Sequence, residues 1–202
     1  MRAWIPAAVA VLVLAAGCGA GATTPVVQPS VPKFSDSAAP SGSAQGRPVP
    51  QTCADVATPE DVGTILGMLI MGEPQRVVGV PQANIGRTAR LDCYYGARAG
   101  RPLSTATVWI GLATYTDPAR AKQRLTNTVS DERDGGAQVN EVPVGPGTGV
   151  LLRGTMWMLV AVRGRTTAVV TIKPGLVRED RAGAMLGQLA DRALTPPPST
   201  PG

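Results

Sequence analysis

The chain has 202 residues, with 24 Gly, 19 Pro, 3% aromatic residues and no histidine, and its 19 basic against 14 acidic side chains leave a formal charge of +5. The lack of histidine excludes Ser–His and Cys–His nucleophilic sites, histidine-ligated metals and a histidine pH switch. The positive excess is mild and scattered over Arg76, Arg87, Arg90, Arg98, Arg101, Arg120, Lys122 and Arg124, without the basic cluster interleaved with aromatics that nucleic-acid binding needs, so no nucleic acid is expected as a partner.

At the start of the chain Arg2 supplies positive charge, and Trp4 to Leu14 form an apolar run too short to span a bilayer comfortably. Ala15-Ala16-Gly17 then give the small residues of a signal-peptidase cut before Cys18, so residues 1–17 read as a signal peptide and Cys18 as the new N-terminus. The segment resembles the bacterial lipoprotein signal, whose lipobox carries Leu three places before the cysteine; here that place holds Ala15, with Leu14 one step earlier. The resemblance implies lipidation of Cys18 by palmitate-type chains and a place on the extracytoplasmic face of the cell membrane. At about 0.8 kcal/mol per buried methylene, two acyl chains hold stably where one is marginal. Residues 18–50 follow as a run of Ala, Gly, Ser, Thr and Pro with Lys33, Asp36 and Arg47 as its only charges. Such a stretch cannot build a core and reads as a disordered tether spanning on the order of 30 Å.

The remainder, 51–194, is about 145 residues, one domain by length, and the Pro-rich tail 195–202 cannot continue a helix. With Cys18 lipidated, Cys53 and Cys93 remain, and an exported pair is expected to oxidise to a disulfide. A loop of about 40 residues closed this way stabilises by roughly 4 kcal/mol. The alternative, a metal-binding or catalytic thiol pair, lacks both Cys-x-x-Cys spacing and a histidine. Thr58-Pro59-Glu60-Asp61 reads as a capped helix start, with Val62, Ile65, Leu66, Leu69 and Ile70 as its apolar stripe and Gly72 as its end. Residues 75–80 and 88–95 read as strands. Residues 104–115 read as a central strand, with Val108, Ile110 and Leu112 on one face and Trp109 among small residues on the other. Asp117-Pro118 opens a second helix to about Asp131 with a narrow stripe of Ala121, Leu125 and Val129. Strands are expected over 137–142, 149–153, 155–163 and 166–173, and a last helix over 178–194 burying Met185, Leu186, Leu189 and Ala193. This order predicts an α+β domain, a mainly antiparallel sheet of about 6–7 strands with three helices packed on a face.

No motif in the domain carries chemistry with force. A Ser–Lys pair has only Lys33, Lys122 and Lys173 to draw on, and no Ser-x-x-Lys occurs. Glu60, Asp61, Glu179 and Asp180 sit at helix starts where the dipole explains them. Asp131, Glu132 and Asp134 end a helix without the ligand alternation of a calcium loop. Gly145-Pro-Gly-Thr-Gly149 leads into a strand and lacks the lysine of a phosphate loop, so it reads as a turn. No catalytic residue, metal or cofactor is expected. Trp109, Trp157, Tyr94 and Tyr95 are most simply core packing, with a ligand or partner surface as the alternative. Met156 and Met158 flank Trp157 on the opposite side of its strand, which makes that side a groove candidate if no helix covers it.

With Cys18 after an apolar signal, a Pro/Ser/Ala tether, Cys53 before a capped helix and Cys93 in Leu91-Asp-Cys-Tyr-Tyr95, the chain resembles the small envelope lipoproteins of actinobacteria, many of them mycobacterial. That resemblance implies an envelope role without enzymatic activity, and O-glycosylation of tether threonines such as Thr23 and Thr24. The expected function is a membrane-anchored binding module for a protein partner or cell-wall component. The alternative is a lipid or acyl-chain carrier, which requires an apolar hollow of several hundred Å³ between sheet and helices.

Overall fold

Seven segments of alternating apolar and polar residues pair into one antiparallel sheet: β1 (Gln75–Gly79), β2 (Arg87–Tyr95), β3 (Val108–Tyr115), β4 (Gln138–Val144), β5 (Gly147–Arg153), β6 (Trp157–Arg163) and β7 (Thr166–Ile172). The computed structural model describes residues 46–98 and 100–196. The signal peptide 1–17, Cys18 and its lipid, Thr23 and Thr24, the tether up to residue 45 and the tail beyond Pro196 lie outside the described residues. Strand order is β1-β2-β3-β7-β6-β5-β4, so two meanders meet where β3 pairs with β7. Among the described residues four α-helices accompany them: α1 (Cys53–Val56), α2 (Pro59–Leu66), α3 (Pro118–Asp134) and α4 (Glu179–Leu194). The α+β expectation holds.

Strand periodicity divides the core cleanly. Leu91, Cys93 and Tyr95 of β2, Val108, Ile110 and Leu112 of β3, Ala168, Val170 and Ile172 of β7, and Leu159 of β6 lie on one face. Against that face pack α1, α2 and the amphipathic α4, which buries Ala182, Leu186, Leu189, Ala190 and Ala193. The expectation that all helices share a face needs correction, because α3 covers the other one. It reaches β3, β5, β6 and β7 through the stripe Ala121, Leu125 and Val129.

Local chemistry places the helix ends. The Thr58 hydroxyl accepts from the Asp61 amide while the Asp61 carboxylate accepts from the Thr58 amide, a reciprocal cap that starts α2. The helix ends at Leu66, five residues short of the expected stop, because Gly67 takes the left-handed conformation at φ 67°. Ile70 is still buried, but from the segment after the helix, while Leu69 points to solvent. The short α1, unanticipated in sequence, is capped by Thr52 and carries Cys53, which is joined to Cys93 on β2 across 40 residues. The expected disulfide is therefore present. Tyr95, two residues on, donates its hydroxyl to the Cys53 and Ala57 carbonyls, and burial pushes its pKa well above the ordinary phenol value.

The packed region begins before Gln51, so that boundary also moves. Arg47, 7% exposed, donates to the Ala193 and Thr195 carbonyls at the end of α4 and to the Asp55 carbonyl of α1. These are the orphan acceptors a helix leaves at its C-terminus, and a cation there also opposes the negative dipole end. Its own carbonyl accepts from Thr166. Desolvation, then the nearby Arg192 charge, lowers the Arg47 pKa, with Asp55 opposing.

Arg47→Ala should cost about 2–3 kcal/mol, since hydrogen bonds to a charged group are lost and acceptors are left open, and a domain begun at Gln51 should lose as much. Denaturant melts of the two against the chain from Gly46 check this; equal midpoints would show that Arg47 adds nothing to the fold.

Candidate functional site

The face of the sheet under α3 is built from the opposite parity of the same strands: Arg90, Asp92 and Tyr94 of β2, Trp109, Gly111, Ala113 and Tyr115 of β3, Thr167, Val169 and Thr171 of β7, and Met158 of β6. The narrow stripe of α3 covers only part of it. Beneath the helix lies a cleft of about 180 Å³ with Trp109, Met158 and Val169 as apolar lining. Its floor is kept low by Gly111 and Ala113, and Arg90, Arg124, Asp131 and Glu132 supply charge around it.

Trp109 is held in place. Its Nε1–H donates to Asp92 Oδ1 at 3.0 Å, and the same carboxylate accepts from Arg90 Nε through Oδ2 at 2.7 Å. Gly111 sits opposite Asp92, and a Cβ there would come within 2.7 Å of Oδ1, so the glycine is what lets the carboxylate lie between the strands. The Arg90 guanidinium stands 5.7 Å from the indole centroid, a cation–π distance. Tyr94 lies parallel to the indole, 7° off, with ring centroids 6.0 Å apart. Asp92 is buried, which makes its two donors necessary partners. Desolvation opposes the Arg90 charge, but the hydrogen bond and charge of Asp92 outweigh it and raise the Arg90 pKa. Burial and then Asp92 raise that of Tyr94, with Arg90 opposing. In the strand register Thr171 faces both Trp109 and Met158, and its buried hydroxyl has no hydrogen-bond partner among the described residues. The arrangement presents a fixed aromatic plate, apolar lining and charges of both signs. It can bind an amphipathic group by stacking and by charge-assisted hydrogen bonds.

The four aromatic residues singled out in sequence divide between the faces. Trp109 and Tyr94 meet in the site. Tyr95 is locked in the core, and Trp157 lies on the α4 face, packed against the core with the Arg153 guanidinium 6.0 Å from its ring centroid. Met158, rather than Trp157, lines the cleft. Sequence reasoning missed Arg90, Asp92, Arg124 and Thr128. An acid between Leu91 and Cys93, with Arg90 two residues before it on the same face, was the available signal for the first pair. Arg124, Thr128 and Asp131 at i, i+4 and i+7 beside the apolar stripe were the signal for the α3 rim. Among the described residues no group of three or more His, Cys, Asp or Glu side chains could hold a metal.

Neither of two hollows on the domain has the form of the chamber an acyl carrier needs. The space under α4 is filled by Leu151, Leu159, Leu186 and Leu189, each 0% exposed. The α3-side cleft is charged, and at about 180 Å³ it falls short of the size expected for a chain-length ligand. A second hollow of about 480 Å³ is an open surface groove along α2 rather than a space between sheet and helices. No helix among the described residues is long and apolar enough to cross a membrane.

No family model matches the chain, and no curated protein matches it. Among solved structures it is similar to the extracellular domain of PknH from Mycobacterium tuberculosis, with 12% sequence identity, a TM-score of 0.49, and a match covering 73% of this chain and 98% of that one.

Asp92→Ala should destabilise the domain by about 2–3 kcal/mol and, in a Trp157→Phe background, make Trp109 more open to acrylamide quenching. Unchanged quenching would mean that the carboxylate does not fix the indole.

Proposed function

We propose that the chain is a membrane-anchored, extracytoplasmic lipoprotein acting as a non-catalytic binding module for a protein partner or a cell-wall component, with the α3-side cleft as its contact surface. The observation that carries this reading is Trp109. It is a large aromatic side chain set in a cleft wall, oriented by the buried Asp92 carboxylate and flanked by Tyr94, Arg90 and Arg124. A rigid aromatic anchor beside arginines is the composition that supplies most of the affinity at protein contact sites, because few degrees of freedom are lost on binding. The carboxylates and cations in the cleft lie beside neither a histidine nor a serine–lysine pair, which supports binding rather than bond cleavage. Attachment rests on Cys18 after its apolar leader, and export on the oxidised Cys53–Cys93 pair.

Two experiments separate the parts of this reading. Cys18→Ser should shift the protein from the membrane to the soluble fraction; continued pelleting with membranes would rule out the lipid anchor. Trp109→Ala should weaken co-sedimentation with purified insoluble cell wall, or capture of a cross-linked envelope protein, by about tenfold or more, while Trp157→Phe leaves either readout intact. Equal binding by both variants would place the contact surface elsewhere.

A further inference from the structure

The two edges of the sheet are built differently. At the β4 edge, Pro143 removes a backbone N–H, Glu141 adds charge, and α4 packs against the strand. These are the usual devices that keep an edge from recruiting another strand. At the β1 edge, among the described residues, no helix packs as α4 packs on β4, and the one charged side chain of the strand is Arg76, which donates to the Gln51 carbonyl. The five residues of β1, Gln75-Arg76-Val77-Val78-Gly79, include neither proline nor acid, and no further strand pairs with it among the described residues. Val77, Val78 and the adjoining Val80 are 38%, 66% and 71% exposed, on a strand whose residues alternate between both faces.

Charge gives this edge a direction of preference. Gln75 Nε2 donates to the Arg98 carbonyl, which sets Arg98 at one end of the strand, and Arg87 Nη2 donates to the Val80 carbonyl, which sets Arg87 at the other. Arg76 lies within the strand, and Glu73 is the one acid in the sequence from 73 to 81. Antiparallel pairing with a second copy would bring the Arg98 end of one strand to the Arg87 end of the other and set like charges together, which costs stability. An extended segment with acids at its ends and small apolar residues between them meets the opposite situation. Its backbone completes the ladder, its apolar side chains cover Val77 and Val78, and its carboxylates face the arginines.

We propose that β1 accepts an extended acidic segment of a partner protein as an eighth strand, by backbone pairing along its free edge. This surface is separate from the α3-side cleft and stands without it.

Hydrogen exchange read by mass spectrometry tests the proposal on the mature chain in detergent micelles. The probes are the peptide Ac-EVTVTVE-NH2, its lysine counterpart Ac-KVTVTVK-NH2, and the acidic peptide N-methylated at alternate residues. At about 1 mM the acidic peptide should slow exchange over residues 75–80 at least about fivefold, with little effect from the other two. Arg76→Glu with Arg98→Glu should reverse the preference between acidic and lysine peptides. Three results would overturn the proposal: no slowing with the acidic peptide, equal slowing by the lysine or N-methylated peptide, or protection of β1 without peptide that is lost on dilution, which would put a second copy on the edge.

Discussion

Everything in this domain hangs on the pairing of β3 with β7. Among the described residues it is the only strand pairing between the two meanders, and its seven residue pairs run from Val108–Ile172 to Thr114–Thr166. On one face the seam is Val108, Ile110 and Leu112 against Ile172, Val170 and Ala168, the centre of the core that receives α4. On the other it is Trp109, Gly111 and Ala113 against Thr171, Val169 and Thr167, of which all but Thr171 line the cleft. A one-residue slip would exchange the two sets, turning Thr167, Thr171 and Trp109 toward α4 and the apolar core residues toward the charged cleft, so the same register that holds the fold also positions the site.

Around that seam the N-terminal elements pack Val56, Val62, Leu66 and Ile70 into the core and add a few long-range bonds to that packing. The disulfide ties α1 to β2, and the Tyr95 hydroxyl repeats the tie through two carbonyls. Arg192 of α4 pairs with Asp61 of α2 and donates to the Val56 carbonyl, and Arg47 closes the end of α4 against α1. Two short helices of four and eight residues are too small to hold by propensity. Apolar packing together with covalent and charged links makes up the difference.

The sheet was largely legible in sequence because its signal is local: alternation in 108–112, glycine-bearing turns at 153–154 and 164–165, and proline after Asp117 each act over a few residues. The α2 stop was misplaced because Ile70 continues the apolar spacing past Gly67, and periodicity does not register a single left-handed glycine. The side taken by α3 was missed because a stripe of Ala121, Leu125 and Val129 fits either face of a sheet. Trp109 could be assigned to its face, but its partner Asp92 could not, since that pairing depends on Gly111 leaving room on the neighbouring strand. Arg47 is not legible as part of the domain because two of its three acceptors, the Ala193 and Thr195 carbonyls, lie 146 and 148 residues along the chain, which no local pattern announces.

One face of the sheet is core and the other carries a fixed aromatic plate in a charged, partly open cleft, on a domain that holds a disulfide; the proposed binding role rests on that division. The most direct measurement is site-specific photo-cross-linking in living cells from two positions, Thr128 on the cleft rim and Gln188 on the exposed side of α4. If the cleft is the contact surface, adducts form from position 128 and are lost when Trp109 is also changed to Ala, while position 188 gives none. Adducts from 188 alone, or from 128 regardless of Trp109, would contradict it.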